Sequence, residues 1–321
     1  MGGKAYDTVI VGGSAAGLTA ALYASRQGLK TLVITKDIGG QLALAPQIEN
    51  YPGIKAVAGL ELAQSIKEQA EGFGAEFVYD EAVGLSQAGD AFAVSTKVSG
   101  EYEALTVILA FGKTPKSLEV PGEDRLVGRG VSYCAICDAP LFRQKRVAVV
   151  GWGDHAFKAV KLLRSYGNKV YMVHRGEAKL TDEEILRESG GMNVVYVPNS
   201  TVLEIKGDTR VRSIVLKNAK TGEESELEVD GVFVEMGYTA KTGWVRDFVQ
   251  LNENGEIVTD KLGRTSRPGV FAAGDVTDMV YKQTVIAAAQ GAIAALSAYN
   301  YIQQLKGLPA RRSDWGKLLG K

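Results

Sequence analysis

Residues 8–17 read Thr-Val-Ile-Val-Gly-Gly-Ser-Ala-Ala-Gly. A β-branched apolar run ends in glycine, and a helix-like segment follows over residues 18–27 until Gly28 closes it. Residues 31–34, Thr-Leu-Val-Ile, then have the composition of a second strand. Strand, glycine turn, helix and strand in this order predict a βαβ dinucleotide-binding unit.

The same unit occurs a second time. Residues 147–151 read Val-Ala-Val-Val-Gly, and they are followed by a turn, a helix over residues 157–166 and a strand over residues 170–173. The spacing is constant, since Gly12 matches Gly151 and the helix-closing glycines also align. Two copies in register predict an α/β protein with two Rossmann-like βαβ domains, each binding one dinucleotide.

Small residues in these turns have separate physical tasks. The first glycine permits the tight turn, the second position lets backbone N–H groups approach a pyrophosphate, and the third lets the helix pack on the strand. The helix N-terminus then presents partial positive charge to the phosphates. Ser14 replaces glycine at the middle position of the first copy, where its hydroxyl could donate to a phosphate, and Trp152 is a bulky residue inside the second turn.

Two cysteines precede the second unit. Cys134 and Cys137 form a Cys-x-x-Cys pair, and Asp138 follows directly. Such pairs open and close a disulfide with little backbone movement and often have a depressed thiol pKa. An adjacent carboxyl could exchange the proton of a thiol. Two small buried residues with a capping aspartate would give the same pattern, but the dinucleotide repeat favours redox chemistry.

Composition excludes several other classes of protein. The chain has 321 residues, enough for about two domains, and 37 basic residues balance 37 acidic ones, so no overall charge attracts nucleic acid or an anionic membrane. Two cysteines and two histidines are too few for a disulfide scaffold, and a structural zinc site is not expected. We expect a cytoplasmic protein without metal, nucleic-acid or membrane partners.

Further segments carry a family resemblance. They are residues 11–26, Gly39-Gly40-Gln41-Leu42, residues 49–53 (Glu-Asn-Tyr-Pro-Gly), residues 132–138 and the run Thr-Ser-Arg-Pro-Gly-Val-Phe-Ala-Ala-Gly-Asp-Val at 265–276. With these the chain resembles the low-molecular-weight thioredoxin reductases over nearly its whole length. The resemblance implies a discontinuous FAD domain, residues 1–115 and 248–321, and an inserted NAD(P) domain, residues 116–247, that carries the cysteines.

The resemblance also implies which residues contact each cofactor. Asp275 would bind the ribityl chain of FAD, and the segment from Lys282 would contact the isoalloxazine ring. The residues expected at FAD are Gly12, Gly13, Ser14, Ala15, Ala16, Gly17, Thr35, Gly40, Gln41, Leu42, Asn50, Ala110, Gly112, Gly274, Asp275, Val276, Lys282, Gln283 and Thr284. The residues expected at NADPH are Gly151, Gly153, Asp154, His155, Ala156, His174, Arg175, Lys179 and Gly237.

In such a protein electrons would pass from NADPH through FAD to the Cys134–Cys137 disulfide and then to thioredoxin or a glutaredoxin-like protein. Cys137 would accept them at the flavin, Cys134 would attack the partner, and Asp138 would act as acid and base. The resemblance implies a homodimer. The run after the second strand, His174-Arg175-Gly176-Glu177, departs from the His-Arg-Arg of the NADPH-dependent members. NADH, or ferredoxin, therefore stays open as the donor, and an NAD(P)H oxidase stays open as the activity.

Overall fold

The computed structural model describes residues 5–177, 184, 187 and 193–309. The chain forms two compact units, Met1–Thr114 with Ala240–Lys321 and Pro115–Thr239. The sequence predicts domain boundaries at 115/116 and 247/248, and the compact units change at 114/115 and 239/240. The expected NADPH contact Lys179 lies outside the described residues.

The first unit is built on a seven-stranded sheet of order β3-β2-β1-β6-β5-β4, with β17 also paired to β6. Strands β1, β2, β3, β6 and β17 pair in parallel, and β4 and β5 add an antiparallel edge. The strand bounds are β1 Ala5–Val11, β2 Thr31–Thr35, β3 Glu76–Tyr79, β4 Ala82–Ala88, β5 Ala91–Thr96, β6 Glu101–Leu109 and β17 Val270–Ala272.

The described residues of this unit include the α-helices α1 (Ala15–Arg26), α2 (Gly59–Gly72) and α6 (Thr284–Leu305). Helices α1 and α6 pack closely because small residues line their contact; a Cβ on Gly291 would lie 2.1 Å from the carbonyl oxygen of Ala16. By length and composition alone, α6 could cross a membrane, which is weak evidence for a span.

The second unit holds a five-stranded parallel sheet of order β11-β10-β9-β15-β8 and a three-stranded antiparallel sheet of order β12-β13-β14. Their bounds are β8 Val131–Ser132, β9 Arg146–Gly151, β10 Lys169–Val173, β11 Val194–Val197, β12 Ser200–Lys206, β13 Ser213–Asn218, β14 Glu224–Glu228 and β15 Gly231–Glu235. Where the structure describes this unit, its α-helices include α3 (Glu123–Leu126), α4 (Ala135–Asp138) and α5 (Asp154–Ser165).

The chain enters and leaves the second unit through two short paired strands, β7 (Thr114–Pro115) and β16 (Tyr238–Thr239). Just inside them, the Lys116 amide donates a hydrogen bond of 2.9 Å to the Gly237 carbonyl. The two crossings therefore run side by side.

Each unit contains one predicted βαβ repeat, β1-α1-β2 and β9-α5-β10. Strands β1, β2 and β9 are buried at their centres, and β10 is buried except at Lys169 and the half-buried Tyr171, which explains their largely β-branched apolar sequences. Both helices begin three residues before the predicted start, directly after the glycine turn. The two Rossmann-like units expected from the sequence are present.

Candidate active site

A cavity of about 1030 Å³ opens at the carboxyl ends of β1 and β2 in the first unit. It is lined by all the residues expected at FAD except Gly17 and Val276, both of which are buried in the core beneath it. These residues come from seven separate stretches of sequence, which the parallel sheet brings to one edge. The cavity lies at the point where the strand order reverses between β2-β1 and β6, which is where open α/β sheets bind ligands.

Three glycines at the turn of this cavity have no room for a side chain. Gly12 has a φ of 119°, and a Cβ there would lie 2.3 Å from the Ala110 carbonyl oxygen. A Cβ on Gly13 would lie 2.6 Å from Oγ1 of Thr35, and one on Gly17 would lie 1.8 Å from the Gly12 carbonyl oxygen. The turn therefore has a bare backbone in front of the buried start of α1, which suits a pyrophosphate.

Several predicted side chains of the cavity have partners within the protein. The Ser14 hydroxyl donates a hydrogen bond of 2.6 Å to the Gly39 carbonyl. Its proton is therefore engaged by the neighbouring loop and is not directed at a phosphate site. Asn50 Nδ2 donates a hydrogen bond of 3.2 Å to Oε1 of Gln283. This bond connects two residues that the sequence predicts to contact FAD. Burial raises the pKa of Asp275, although Lys282 and Lys113 oppose that shift.

The second glycine turn lies at the carboxyl end of β9. Gly151 has a φ of 154°, and a Cβ there would lie 2.1 Å from the Glu235 carbonyl oxygen. Gly153 has a φ of 85° and precedes α5, while Ala156 is fully buried against the sheet. Asp154 and His155 are exposed in the first turn of α5. This turn too fits a dinucleotide phosphate, because its backbone is glycine-dependent and lies at a helix start.

Trp152 turns its side chain into an aromatic cluster beside this second turn. Its ring stacks on His174 with centroids 4.6 Å apart and planes inclined by 30°, and it meets Phe157 edge-on at 5.0 Å. Burial lowers the pKa of His174, and Arg175 lowers it further, so the imidazole is neutral at pH 7. Arg175 is exposed directly after it, and the carboxylate of Glu177 is engaged by Lys220.

The two cysteines form a disulfide at the start of α4. Cys134 is half-buried and Cys137 is exposed, and the Cys137 amide donates a hydrogen bond of 3.2 Å to Sγ of Cys134. Ser132 supports the bend, because its Oγ accepts the Cys134 amide at 3.1 Å. Asp138 is half-buried at the end of the same short helix.

Glu235, a residue that the sequence did not single out, lies against this disulfide helix. It ends β15, and its carboxyl accepts a hydrogen bond from the Ala135 backbone. Burial raises the pKa of Glu235 to about 7, in spite of that bond. A carboxyl that titrates near neutrality beside a redox pair is a candidate functional group.

Two glycine-turn sites for dinucleotides and a disulfide define a class of electron-transferring α/β proteins. Residues 6–291 match the family model described as pyridine nucleotide-disulphide oxidoreductase, and the chain belongs to this family. Members combine a flavin with a nicotinamide cofactor, and this chain is accordingly a flavin-dependent disulfide reductase.

Individual relatives are similar over almost the whole chain. The thioredoxin reductase of Treponema pallidum is 41% identical over 94% of this chain and 98% of its own length. That of Bacillus subtilis is 40% identical over 94% and 96% of the two chains. The crystal structure of Lactococcus lactis thioredoxin reductase superposes with a TM-score of 0.76 at 36% identity, covering 93% of this chain and 99% of that one.

Proposed function

We propose that this protein reduces the disulfide of thioredoxin, or of a glutaredoxin-like protein, with electrons from NADPH. The observation that carries the proposal is the Cys134–Cys137 disulfide in a chain with two dinucleotide turns. The named relatives are thioredoxin reductases, which supports thioredoxin as the partner. We further propose that the protein is a homodimer and acts in the cytoplasm, where protein disulfides are mostly catalytic.

The first cavity would hold FAD, with the pyrophosphate at Gly12 and Gly13 and the ribityl chain at Asp275. When bound, FAD accepts a hydride from the nicotinamide and passes two electrons to a disulfide. Gly151, Gly153 and Ala156 would hold the pyrophosphate of the nicotinamide cofactor. The roles of the protein are to orient both cofactors and to exchange protons at sulfur.

The proposed roles of the sulfurs agree with their surroundings. Two electrons and two protons convert the disulfide to two thiols. The amide hydrogen bond to Sγ of Cys134 stabilises a thiolate there, which favours Cys134 as the attacking sulfur. It would form a mixed disulfide with the partner, and Cys137 would then attack Sγ of Cys134 and release the partner as a dithiol. Asp138 would exchange the protons of these steps.

NADPH is the donor that we propose, with NADH accepted less well. Arg175 can bind a 2′-phosphate, and Lys220 neutralises Glu177, which would otherwise repel that phosphate. Neutral His174 adds no positive charge. The preference for NADPH over NADH therefore rests mainly on Arg175, and we expect it to be modest. Lys179 is the second cation that the sequence offers.

The decisive experiment compares wild type with Cys134→Ser in an anaerobic titration and a turnover assay. Wild type should be yellow, lose its flavin colour with NADPH, and reduce thioredoxin. Cys134→Ser should keep FAD and its bleaching by NADPH but lose turnover with thioredoxin, and Ser95→Ala in the other unit serves as the matched control. Flavin bleaching by reduced ferredoxin, but by neither NADPH nor NADH, would contradict NADPH as the proposed donor. Rapid oxygen consumption by Cys134→Ser would indicate that the protein is an oxidase.

A further inference from the structure

Two lysines of the first unit share one buried carboxylate. Nζ of Lys113 lies 2.6 Å from Oε1 of Glu256, and Nζ of Lys282 lies 3.1 Å from the same oxygen. Asn252 Nδ2 donates to the second oxygen, Oε2, at 2.8 Å. Glu256 is only 8% exposed, so water contributes little to this arrangement, which we name the Lys113–Glu256–Lys282 cluster.

The cluster carries one net positive charge. Burial alone would raise the pKa of Glu256, but hydrogen bonds from Lys113, Asn252 and Lys282 outweigh it and lower the pKa to about 2. The carboxylate is therefore charged at neutral pH and holds two ammonium groups close together. Lys282 is fixed further, since its Nζ also donates to the carbonyls of Asp275 and Thr277 at 3.2 and 2.6 Å.

Both lysines face the large cavity, while Glu256 lies behind them and is not part of its lining. Lys113 follows β6, on the far side of the glycine turn from Thr35 at the end of β2. A dinucleotide bound at such a switch point places its two halves on opposite sides of the turn. The half that includes the flavin then lies on the side of Asp275 and the two lysines.

We propose that Glu256 holds Lys113 and Lys282 as a net positive charge at the flavin, and that this charge raises the reduction potential of bound FAD. The inference rests on the proposed FAD site. A hydride from the nicotinamide brings two electrons and one proton, so it leaves the flavin with one additional negative charge. A fixed positive charge in a poorly hydrated site stabilises that charge and so favours the reduced flavin.

Charge substitutions test the proposal through the midpoint potential of the FAD-loaded protein, measured against a reference dye. Lys113→Met leaves a neutral Glu256–Lys282 pair, and the equilibrium constant for flavin reduction should fall about tenfold, or about 30 mV for a two-electron couple. Lys113→Arg keeps the charge and should keep the wild-type potential. Lys113→Met combined with Glu256→Gln restores one net positive charge and should recover most of the shift.

Recovery of the midpoint potential in the double variant distinguishes an effect of charge from an effect of structural damage. Damage would increase with the second substitution and would lower the potential further. Lys306→Met removes a lysine that pairs with Asp7 at the surface of the same unit, and its potential should equal that of wild type. An unchanged potential in Lys113→Met, or a further fall in the double variant, would overturn the inference while leaving the proposed function intact. Wild-type protein that neither retains nor takes up FAD would overturn both.

Discussion

Gly17 lies against Gly12 so closely that a Cβ on Gly17 would be 1.8 Å from the Gly12 carbonyl oxygen. The contact joins the first turn of α1 to the turn that ends β1. It involves backbone on both sides, so no side-chain rotation can relieve an added methyl group. The position of the helix start relative to the cavity therefore depends on this pair of glycines.

We expect Gly17→Ala to weaken FAD binding at least tenfold and to destabilise the fold, because α1 must move away from β1. Titration of the FAD-free protein with FAD measures the first effect, and thermal unfolding measures the second. Gly72→Ala is the matched control, since a Cβ there meets nothing within 4 Å and helical alanine is more stable than glycine by about 0.5–1 kcal/mol. Equal FAD affinity of Gly17→Ala and wild type would contradict the argument.

Asp138→Asn should slow thioredoxin reduction by about 10²–10⁴-fold, the usual contribution of a general acid or base. Flavin reduction by NADPH should stay unchanged, since the substitution does not alter either dinucleotide turn. Stopped-flow measurement of the two half-reactions separates these steps. Asp230→Asn, in the same unit but next to Arg146, should leave both half-reactions at the wild-type rate. Equal slowing of both half-reactions by Asp138→Asn would argue against a proton-transfer role.

The raised pKa of Glu235 predicts that the stability of the folded protein depends on pH. Its pKa is about 7 in the folded protein and about 4.5 in a free side chain, so the folded state keeps a proton that the unfolded state has already lost. Between these values the free energy of unfolding falls as the pH rises. Glu235→Gln stays neutral and should therefore raise Tm at pH 8 but change it little at pH 5.

Thermal unfolding at both pH values measures this difference. Glu224→Gln, an exposed glutamate of β14 in the same unit, should shift Tm equally at pH 5 and pH 8. The same gain in Tm for Glu235→Gln at both pH values would show that the carboxyl does not titrate in this range.

Arg175→Ala should lower kcat/KM for NADPH about tenfold and leave kcat/KM for NADH nearly unchanged, because only NADPH has the additional phosphate. Steady-state kinetics with both donors gives the ratio. Arg143→Ala removes an arginine that lies over the Tyr166 ring in the same unit and should alter neither value. An equal fall of kcat/KM for NADPH and NADH would show that Arg175 binds a part that both cofactors share and does not recognise the 2′-phosphate.

The sequence predicted the two βαβ units because their evidence is local. Runs such as Val147–Val150 are apolar on both faces, which indicates a buried parallel strand, and Gly28 and Gly167 close the helices with positive φ. The helix starts were predicted three residues late, since residues 15–17 and 154–156 contain small or polar residues that show no apolar period.

Tertiary partners explain what the sequence could not predict. Glu235 and Glu256 are ordinary charged residues in the chain, and only the folded structure places one against the disulfide helix and the other between two lysines. Similarly, the sequence offered the Ser14 hydroxyl as a donor that could reach a phosphate, whereas its bond to the Gly39 carbonyl depends on a loop 25 residues away. The antiparallel sheet of β12, β13 and β14 has no sequence motif from which it could be predicted.

The side-by-side crossings at Lys116 and Gly237 have an evolutionary and practical consequence. A module whose two ends meet can be removed or exchanged while the host closes the gap with a short linker, because little closure entropy is involved. Residues 115–239 should thus be transplantable between relatives as one cassette. Chimaeras made at these two points would carry the disulfide and the nicotinamide specificity together into a foreign flavin host.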